Sequence, residues 1–286
     1  MKLLTWNIQW GLGMDGRVDL ARIVRTARAM ADFDVFCVQE VADNFPGLAG
    51  NDDRDQFALL GELLPGYTRV QGYGVDVAGD NGRRRRFGNA IFSRYPVLSA
   101  RRHALPWPAD PAKKTMPRVA VETTLQAPGG ALRVTTTHLE YYSDIQRREQ
   151  VRRLRNLHDE ACQRAAAQAR YENAESNVTF DPTPQTTRAI VCGDFNFPPD
   201  NNAFQDLQSP LARDGPALRD AWSHLHPGEP HPPTFCLHDR RYAKVPYCCD
   251  FAFVSTDLLP RLAAIGANLE TQDSDHQPVL LELDDR

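Results

Sequence analysis

The run VCGDFNFPPD (residues 191–200) ends an apolar stretch with a carboxylate, Asp194, and an amide, Asn196, ahead of two prolines. Asp and Asn are poor strand residues, and an unpaired polar group in a core costs a few kcal/mol. A strand that finishes this way has a use for them. The signature recurs along the chain. Apolar runs end at Asn7 (KLLTWNI), at Gln39 and Glu40 (DVFCVQEV) and at His138 (ALRVTTTHLE), while Asp250 heads DFAFVS and Asp275-His276 precede QPVLLEL. A lone aspartate there is usually a turn former, and a lone histidine reads equally well as structural. Six such ends together point to a site at one edge of a layered α/β protein.

The residue types suggest the chemistry. Glu40 and the aspartates are hard oxygen donors suited to Mg2+ or Mn2+, which bind one or two carboxylates plus waters. His138 and His276 beside carboxylates suit acid–base work, each imidazole held by an acidic partner. Zinc ligation would call for HxxxH or Cys/His spacing, and neither is present. A hard cation, acid–base histidines and an amide suit hydrolysis at phosphorus, where positive groups stabilise the non-bridging oxygens while a base delivers water.

The elements that must position these residues follow from patterning. KLLTWNI reads as a strand, and a helix capped by Asp19 follows with Leu20, Ile23, Val24, Ala27 and Met30 on one stripe. DVFCVQEV is a buried strand ending at its polar pair, and a second helix covers about Arg54 to Leu64. YTRVQGY, FGNAIFSRYPV, RVAVETTL and ALRVTTTHLE are strands between turn-rich stretches. Ser143 and Gln146 form a capping box for the longest helix, whose inner side carries Ile145, Val151, Leu154, Leu157 and Ala161. Residues 173–187 read as a loop, and TFCLHD, CCDFAFVS and SDHQPVLLEL as a shorter closing α/β stretch.

Composition narrows the classes. A chain of 286 residues, 42% hydrophobic and 24% charged, supports its own core. With Lys+Arg 33 against Asp+Glu 37 the net charge is -4, so any contact with a polyanion depends on a local patch. The six cysteines include no CxxC pair; Cys37 and Cys192 read as small buried hydrophobes, and only the adjacent Cys248 and Cys249 invite a redox reading. No run approaches the roughly 20 apolar residues of a membrane span, and the N-terminal run is short for a signal peptide. The expectation is a cytoplasmic protein, taken as a monomer.

TWNIQ, VQE, GNAIFSRYP, THLE, GDFN, CDFAFVS and SDHQPV occur in the order and approximate spacing of the endonuclease/exonuclease/phosphatase superfamily, and the chain resembles its members from Lys2 to Leu283. Each motif alone is weak; the combination is specific. The resemblance implies one domain over residues 1–286 with the pancreatic-type deoxyribonuclease fold, an α/β four-layer α/β/β/α sandwich of two packed mixed β-sheets flanked by helices. It implies Glu40 as principal Mg2+ (or Mn2+) ligand with Asn7 and Asp275 close by. Asp194 would orient or deprotonate the attacking water, Asn196 hold the water or phosphate, and His276, paired with Asp250, act on the phosphate. His138 stands where nuclease members carry a histidine. Arg118 would aim at the phosphate, with Asn89 nearby and Arg84 and Arg86 of the run RRRR reaching phosphates beyond the scissile one. Gln9 departs from the abasic-site enzymes, which have Asp there, and Cys248 replaces a usual basic residue.

The expected activity is Mg2+-dependent phosphodiester hydrolysis, most readily on DNA or RNA, with a small or lipid phosphoester as the alternative. A scaffold that kept the fold and lost the chemistry is a third reading, opposed by the complete residue set. Trp10, Trp107 and Phe235 lie near motifs, where aromatics either stack on bases or pack.

Overall fold

In the computed structural model, which describes residues 1–168 and 183–284, the chain begins β1 (Lys2–Asn7), α1 (Leu20–Met30), β2 (Val35–Asp43) and α2 (Gln56–Leu63). Strands β3 (Thr68–Ala78), β4 (Arg84–Ser93), β5 (Val97–Ala104), β6 (Val119–Ala127) and β7 (Gly130–His138) follow, then the long helix α3 (Asp144–Gln168). The remainder is β8 (Ala189–Asp194), α4 (Asn202–Gln208), β9 (Leu218–Asp220), α5 (Ala221–Leu225), β10 (Asp250–Ser255), β11 (Leu262–Ala267) and β12 (Val279–Leu283). Most of the expected loop at 173–187 lies outside the described residues.

Two six-stranded sheets form, ordered β11-β12-β1-β2-β4-β3 and β5-β6-β7-β8-β10-β9. Both are mixed: β1 runs parallel to β2 and β7 parallel to β8, and the other pairs are antiparallel. Alternation along each strand builds the layers, because successive side chains point to opposite faces. Leu3 and Cys37 of the first sheet face Val134, Ile190 and Cys192 of the second in the central core. Their neighbours Leu4, Phe36 and Val38 pack instead against Ile23 and Val24 of α1 and Phe57 and Leu60 of α2. On the far side, Val191, Phe251 and Phe253 meet Val151 and Leu154 of α3 and Phe204 and Leu207 of α4. Helix, sheet, sheet and helix therefore stack in the expected four-layer sandwich.

Local signals hold where they are purely local. Asp19 caps α1 by accepting from the Arg22 amide at 2.8 Å. Other expectations are corrected by packing. Ser143 accepts from the Gln146 amide at 3.3 Å, but the Gln146 side chain donates to the Pro108 carbonyl at 2.7 Å rather than returning to close a capping box. Ile145, expected on the inner side of α3, is 53% exposed, because the buried stripe of the helix runs through Gln146, Gln150, Val151 and Leu154 and Ile145 falls outside it. TFCLHD forms no strand and contributes only isolated bridges at Phe235, to Tyr247 and His276. All six cysteines are buried and free, and burial raises the Cys248 and Cys249 thiols well above the usual range.

Beneath α3 lies a buried charge cluster. Glu122 holds Arg133 at 3.2 Å and Arg101 at 3.3 Å, and Arg133 in turn donates to His158 Nδ1 at 2.6 Å. Burial alone would raise Glu122, yet His103, Arg133 and Arg101 outweigh it and bring the carboxyl down to about 2. Burial wins for the other partners: it lowers the Arg133 guanidinium, and burial together with Arg133 pulls His158 to about 4. The unfolded chain thus binds more protons than the folded one as pH falls, first at His158 from about 6.5 to 4, then at Glu122 from about 4.5 to 2. The contribution of this cluster to stability is expected to be full above about pH 6.5 and to decline through both windows as pH falls. Denaturant titrations at pH 7 and pH 4 check this: His158→Gln should recover up to about 3 kcal/mol of the acid loss. An identical loss in that variant would remove His158 from the account.

Candidate active site

Register brings three of the residues into a row. His138 ends β7 opposite Asp194 of the parallel strand β8, and Asp250 opens β10 opposite the same Asp194. Gly193, just before it, has φ +131°, and a Cβ there would lie 2.0 Å from the Thr137 carbonyl oxygen, so glycine alone lets β7 and β8 close this tightly. That explains the glycine of GDFN. From the other sheet, Asn7 ends β1 and donates through Nδ2 to Asp194 Oδ2 at 3.0 Å and Glu40 Oε1 at 3.2 Å. One amide thus ties the two sheets together at the floor of the site.

Glu40 corrects an expectation. The second strand does not end at it; β2 continues to Asp43 and bulges, the pairing with β4 jumping from Val38–Ala90 to Val41–Gly88. Glu40 sits in the bulge with φ +60°, a conformation a bulge favours and a long side chain adopts only under constraint. The bulge throws Glu40 toward the cavity, whereas its neighbour Gln39 turns inward and donates to Thr136 of the opposing sheet at 2.8 Å.

The segment before β12 hangs on β1. Ser274 donates to the Asn7 carbonyl at 2.7 Å, and the Trp6 indole donates to the His276 carbonyl at 2.9 Å. This holds His276 with Nδ1 2.8 Å from Asp250 Oδ2 and Nε2 3.6 Å from Asp194 Oδ2. Burial alone would lower His276, but Asp250 and Asp194 outweigh it and hold the imidazole well above its ordinary value, hence charged at neutral pH. His138, with Nε2 3.4 Å from Asp194 Oδ2, is the opposite case: burial and the charge of Arg118 keep it neutral. Burial raises Asp194 to about 6. Burial and the neighbouring Asp275 raise Glu40 to about 7, and burial raises Asp275.

Asn196, at φ +54°, donates its backbone N–H to Asp194 Oδ1 at 2.9 Å and its Nδ2 to the Leu139 carbonyl at 2.8 Å. Arg118 enters β6 buried, with Nε 3.2 Å from Glu140 Oε2 and Nη1 without a hydrogen-bond partner. Glu140, within THLE, was not singled out from sequence. Its partner is set by the fold, and only its place beside the terminal histidine hinted at a role.

Asn7, Glu40, His138, Asp194, Asn196, Asp250, Asp275, His276 and Arg118 are therefore brought together around one cavity of about 300 Å³, with Asn7 and Asp250 just behind its surface. Three expected phosphate contacts are not. Asn89 is buried and donates to the Val119 carbonyl at 2.9 Å, tying the sheets together rather than lining the cavity. Arg84 is held by Asp76 at 2.8 Å, and Arg86 lies 3.6 Å from both Asp43 and Asp76. Cross-strand acids on β2 and β3 capture them. Of the three aromatics noted, Trp10 and Phe235 line the cavity, whereas Trp107 does not and is 52% exposed.

The donor set fits a hard divalent cation. Asp275 is buried and Glu40 half-buried, and burial raises both carboxyls, joined at Glu40 by the charge of Asp275, a cost that a cation would offset. Gln9, held at φ +44°, clamps Asp275 through Nε2 at 2.8 Å and leaves its buried Oε1 without a partner beside them. A tighter trio of Asp194, Cys249 and His276 also exists. Within this trio the Nδ1 of His276 is already engaged by Asp250 at 2.8 Å.

Fold and site define a phosphoesterase-type α/β sandwich. A family model, Endonuclease/Exonuclease/phosphatase family, matches residues 4–276, and the chain belongs to that family. Its members are hydrolases of phosphoester bonds and are generally dependent on a divalent metal. Among curated proteins no relative matches. Solved structures share the fold: an endonuclease/exonuclease/phosphatase from Beutenbergia cavernae is 22% identical with TM-score 0.68, covering 99% of this chain and 72% of that one. A mannosyl-6-phosphatase from Bacteroides thetaiotaomicron is 17% identical with TM-score 0.64, covering 99% of each chain. A 3′ phosphatase from Neisseria bound to a product DNA hairpin is 18% identical with TM-score 0.60, again covering 99% of each. No described helix is long and apolar enough to cross a membrane.

Proposed function

We propose that this protein is a divalent-metal-dependent phosphoester hydrolase in which water attacks phosphorus directly. The observation that carries the reading is Asp194, whose Oδ2 lies at the cavity floor within 3.6 Å of Asn7, His138 and His276. A carboxylate so placed, with its affinity for protons raised to about 6, is ionised at neutral pH yet basic enough to orient and accept a proton from water. His276, charged and held by Asp250, faces the developing negative charge on phosphorus-bound oxygen, as does the buried Arg118 with its unpartnered Nη1. Neutral His138 donates a hydrogen bond without adding charge, and Asn196 offers its carbonyl oxygen to the water. Glu40 and Asp275, with Gln9 behind, would hold Mg2+ or Mn2+; the cation would supply electrostatic stabilisation of the phosphoryl oxygens.

A compact phosphoester is favoured as substrate, since among the described residues Arg118 is the only Lys or Arg lining the cavity and the run 83–86 is neutralised by acids. A DNA strand end is the second reading, supported by the Neisseria structure of the same fold with its DNA hairpin. Turnover of p-nitrophenyl phosphate, bis(p-nitrophenyl) phosphate and supercoiled plasmid, each with Mg2+, Mn2+ and EDTA, tests both. Metal-dependent hydrolysis of the small esters with little nicking is the expected result. Nicking without small-ester turnover would shift the assignment to nucleic acid, and inertness toward all three would defeat it.

A further inference from the structure

The catalytic groups occupy only the floor of the cavity; its walls are made largely of rings. Tyr141, Tyr142, Phe235 and Tyr242 come from segments that follow strands of the second sheet, and Trp10 from the turn after β1. The second-sheet rings form a continuous series running outward from the floor. Phe235 packs on the His276 imidazole with centroids 4.5 Å apart, and it contacts Tyr141 and Tyr242, both at 6.4 Å. Tyr141 meets Tyr142 edge-to-face at 4.8 Å and 88°. The outer members are left to solvent: Tyr142 is 58% exposed and Tyr242 is 50% exposed. Their backbone is nevertheless anchored, the Tyr142 amide donating to Glu140 at 2.9 Å and the Tyr242 carbonyl accepting from the Tyr141 hydroxyl at 3.5 Å. Half-exposed rings on a fixed backbone at the mouth of a catalytic cavity are a stacking platform in want of a flat partner.

Charge points the same way. Arg241, beside this wall, is bound to Asp239 at 2.7 Å and lies over the Tyr242 ring, so it offers no second anion site. A chain of phosphates would find one binding position and then aromatic faces. We propose that the cavity selects phosphoesters that carry a flat aromatic group, which lies against Tyr142 and Tyr242 while the phosphoryl group sits on the floor. This inference rests on the hydrolase reading and names the substrate class of the same site. The ring can be the ester's own aryl alcohol or the base of a nucleotide end.

Direct calorimetric binding to the Mg2+-loaded protein separates these. Benzylphosphonate is compared with cyclohexylmethylphosphonate, and thymidine 5′-phosphonate with the ribose phosphonate lacking a base. The flat member of a pair should bind about tenfold more tightly, a modest value for stacking on aromatic side chains. Tyr142→Leu and Tyr242→Leu, both at half-exposed positions that leave the core intact, should abolish that ratio while weakening the saturated ligand little; a merely structural role would shift both members equally. A preference in the benzyl pair assigns an aryl ester, and one confined to the nucleoside pair assigns a nucleotide end. Equal affinities within both pairs, or ratios unchanged in both variants, would overturn the proposal. Ring preference without turnover of any phosphoester would sink the hydrolase reading alone, and turnover without ring preference this inference alone.

Discussion

Asparagine in place of Asp194 is expected to lower kcat by about 10²–10⁴-fold, the range general-base catalysis contributes. The exchange is nearly isosteric, so Asn7, His138 and His276 keep their places while the charge and the basicity disappear. Protein stability should move the other way. Burial raises Asp194 to about 6, so the folded state holds the ionised form less readily than the unfolded chain does. For an acid with a raised folded value, this penalty is absent below about pH 4 and grows as pH rises through 6, so at pH 8 the variant should melt at or above the wild-type temperature. Paired turnover and melting measurements decide the matter. Lost activity with retained or raised Tm identifies a catalytic carboxylate, whereas near-wild-type kcat in the folded variant contradicts the mechanism.

Glu40→Gln is expected to have the second large effect, and on a different quantity. Mg2+ or Mn2+ affinity should fall by at least about 10²-fold, the upper range seen when even supporting groups of a metal site are removed. Hydrolysis at fixed metal should fall with it and recover partly at high Mn2+. Calorimetric titration reads the affinity directly. The bulge at Glu40 makes this variant informative: its φ of +60° is fixed by the pairing of β2 with β4, so Gln retains the geometry and removes only charge. Unchanged metal affinity would mean that Glu40 is not a ligand and would leave Asp275 and Gln9 to account for the fit.

The distribution of legible and illegible features follows the range of the forces involved. The near-continuous apolar runs KLLTWNI, VFCVQEV and RAIVCGD were enough to specify buried strands, because burial on both faces is imposed residue by residue. Polar residues at the ends of such runs then marked Asn7, His138, Asp194 and the Asp250–His276 pair. Gly193 was legible as part of GDFN, but its reason, the Thr137 carbonyl 2.0 Å from any Cβ, belongs to the neighbouring strand.

What failed from sequence depended on groups distant in the chain. The expected capping box at Ser143 is only half made because the Pro108 carbonyl, 38 residues away, takes the Gln146 side chain. Arg84 and Arg86 looked free because their captors are Asp76 across a strand pair and Asp43 on another strand. Glu40 looked like a strand terminus because a bulge is a property of register between strands, with no local pattern that announces it. The sequence by itself determined the strands, the helices and the polar strand ends that floor the cavity, since hydrophobic patterning and local turn chemistry act over a few residues, while the four-layer sandwich and the family followed from the resemblance of its ordered motifs. Only the tertiary structure decided which cations stay free, which way Glu40 and Gln9 face, and that rings rather than arginines wall the cavity. Those outcomes are fixed by cross-strand pairing and loop docking, interactions between residues far apart in sequence.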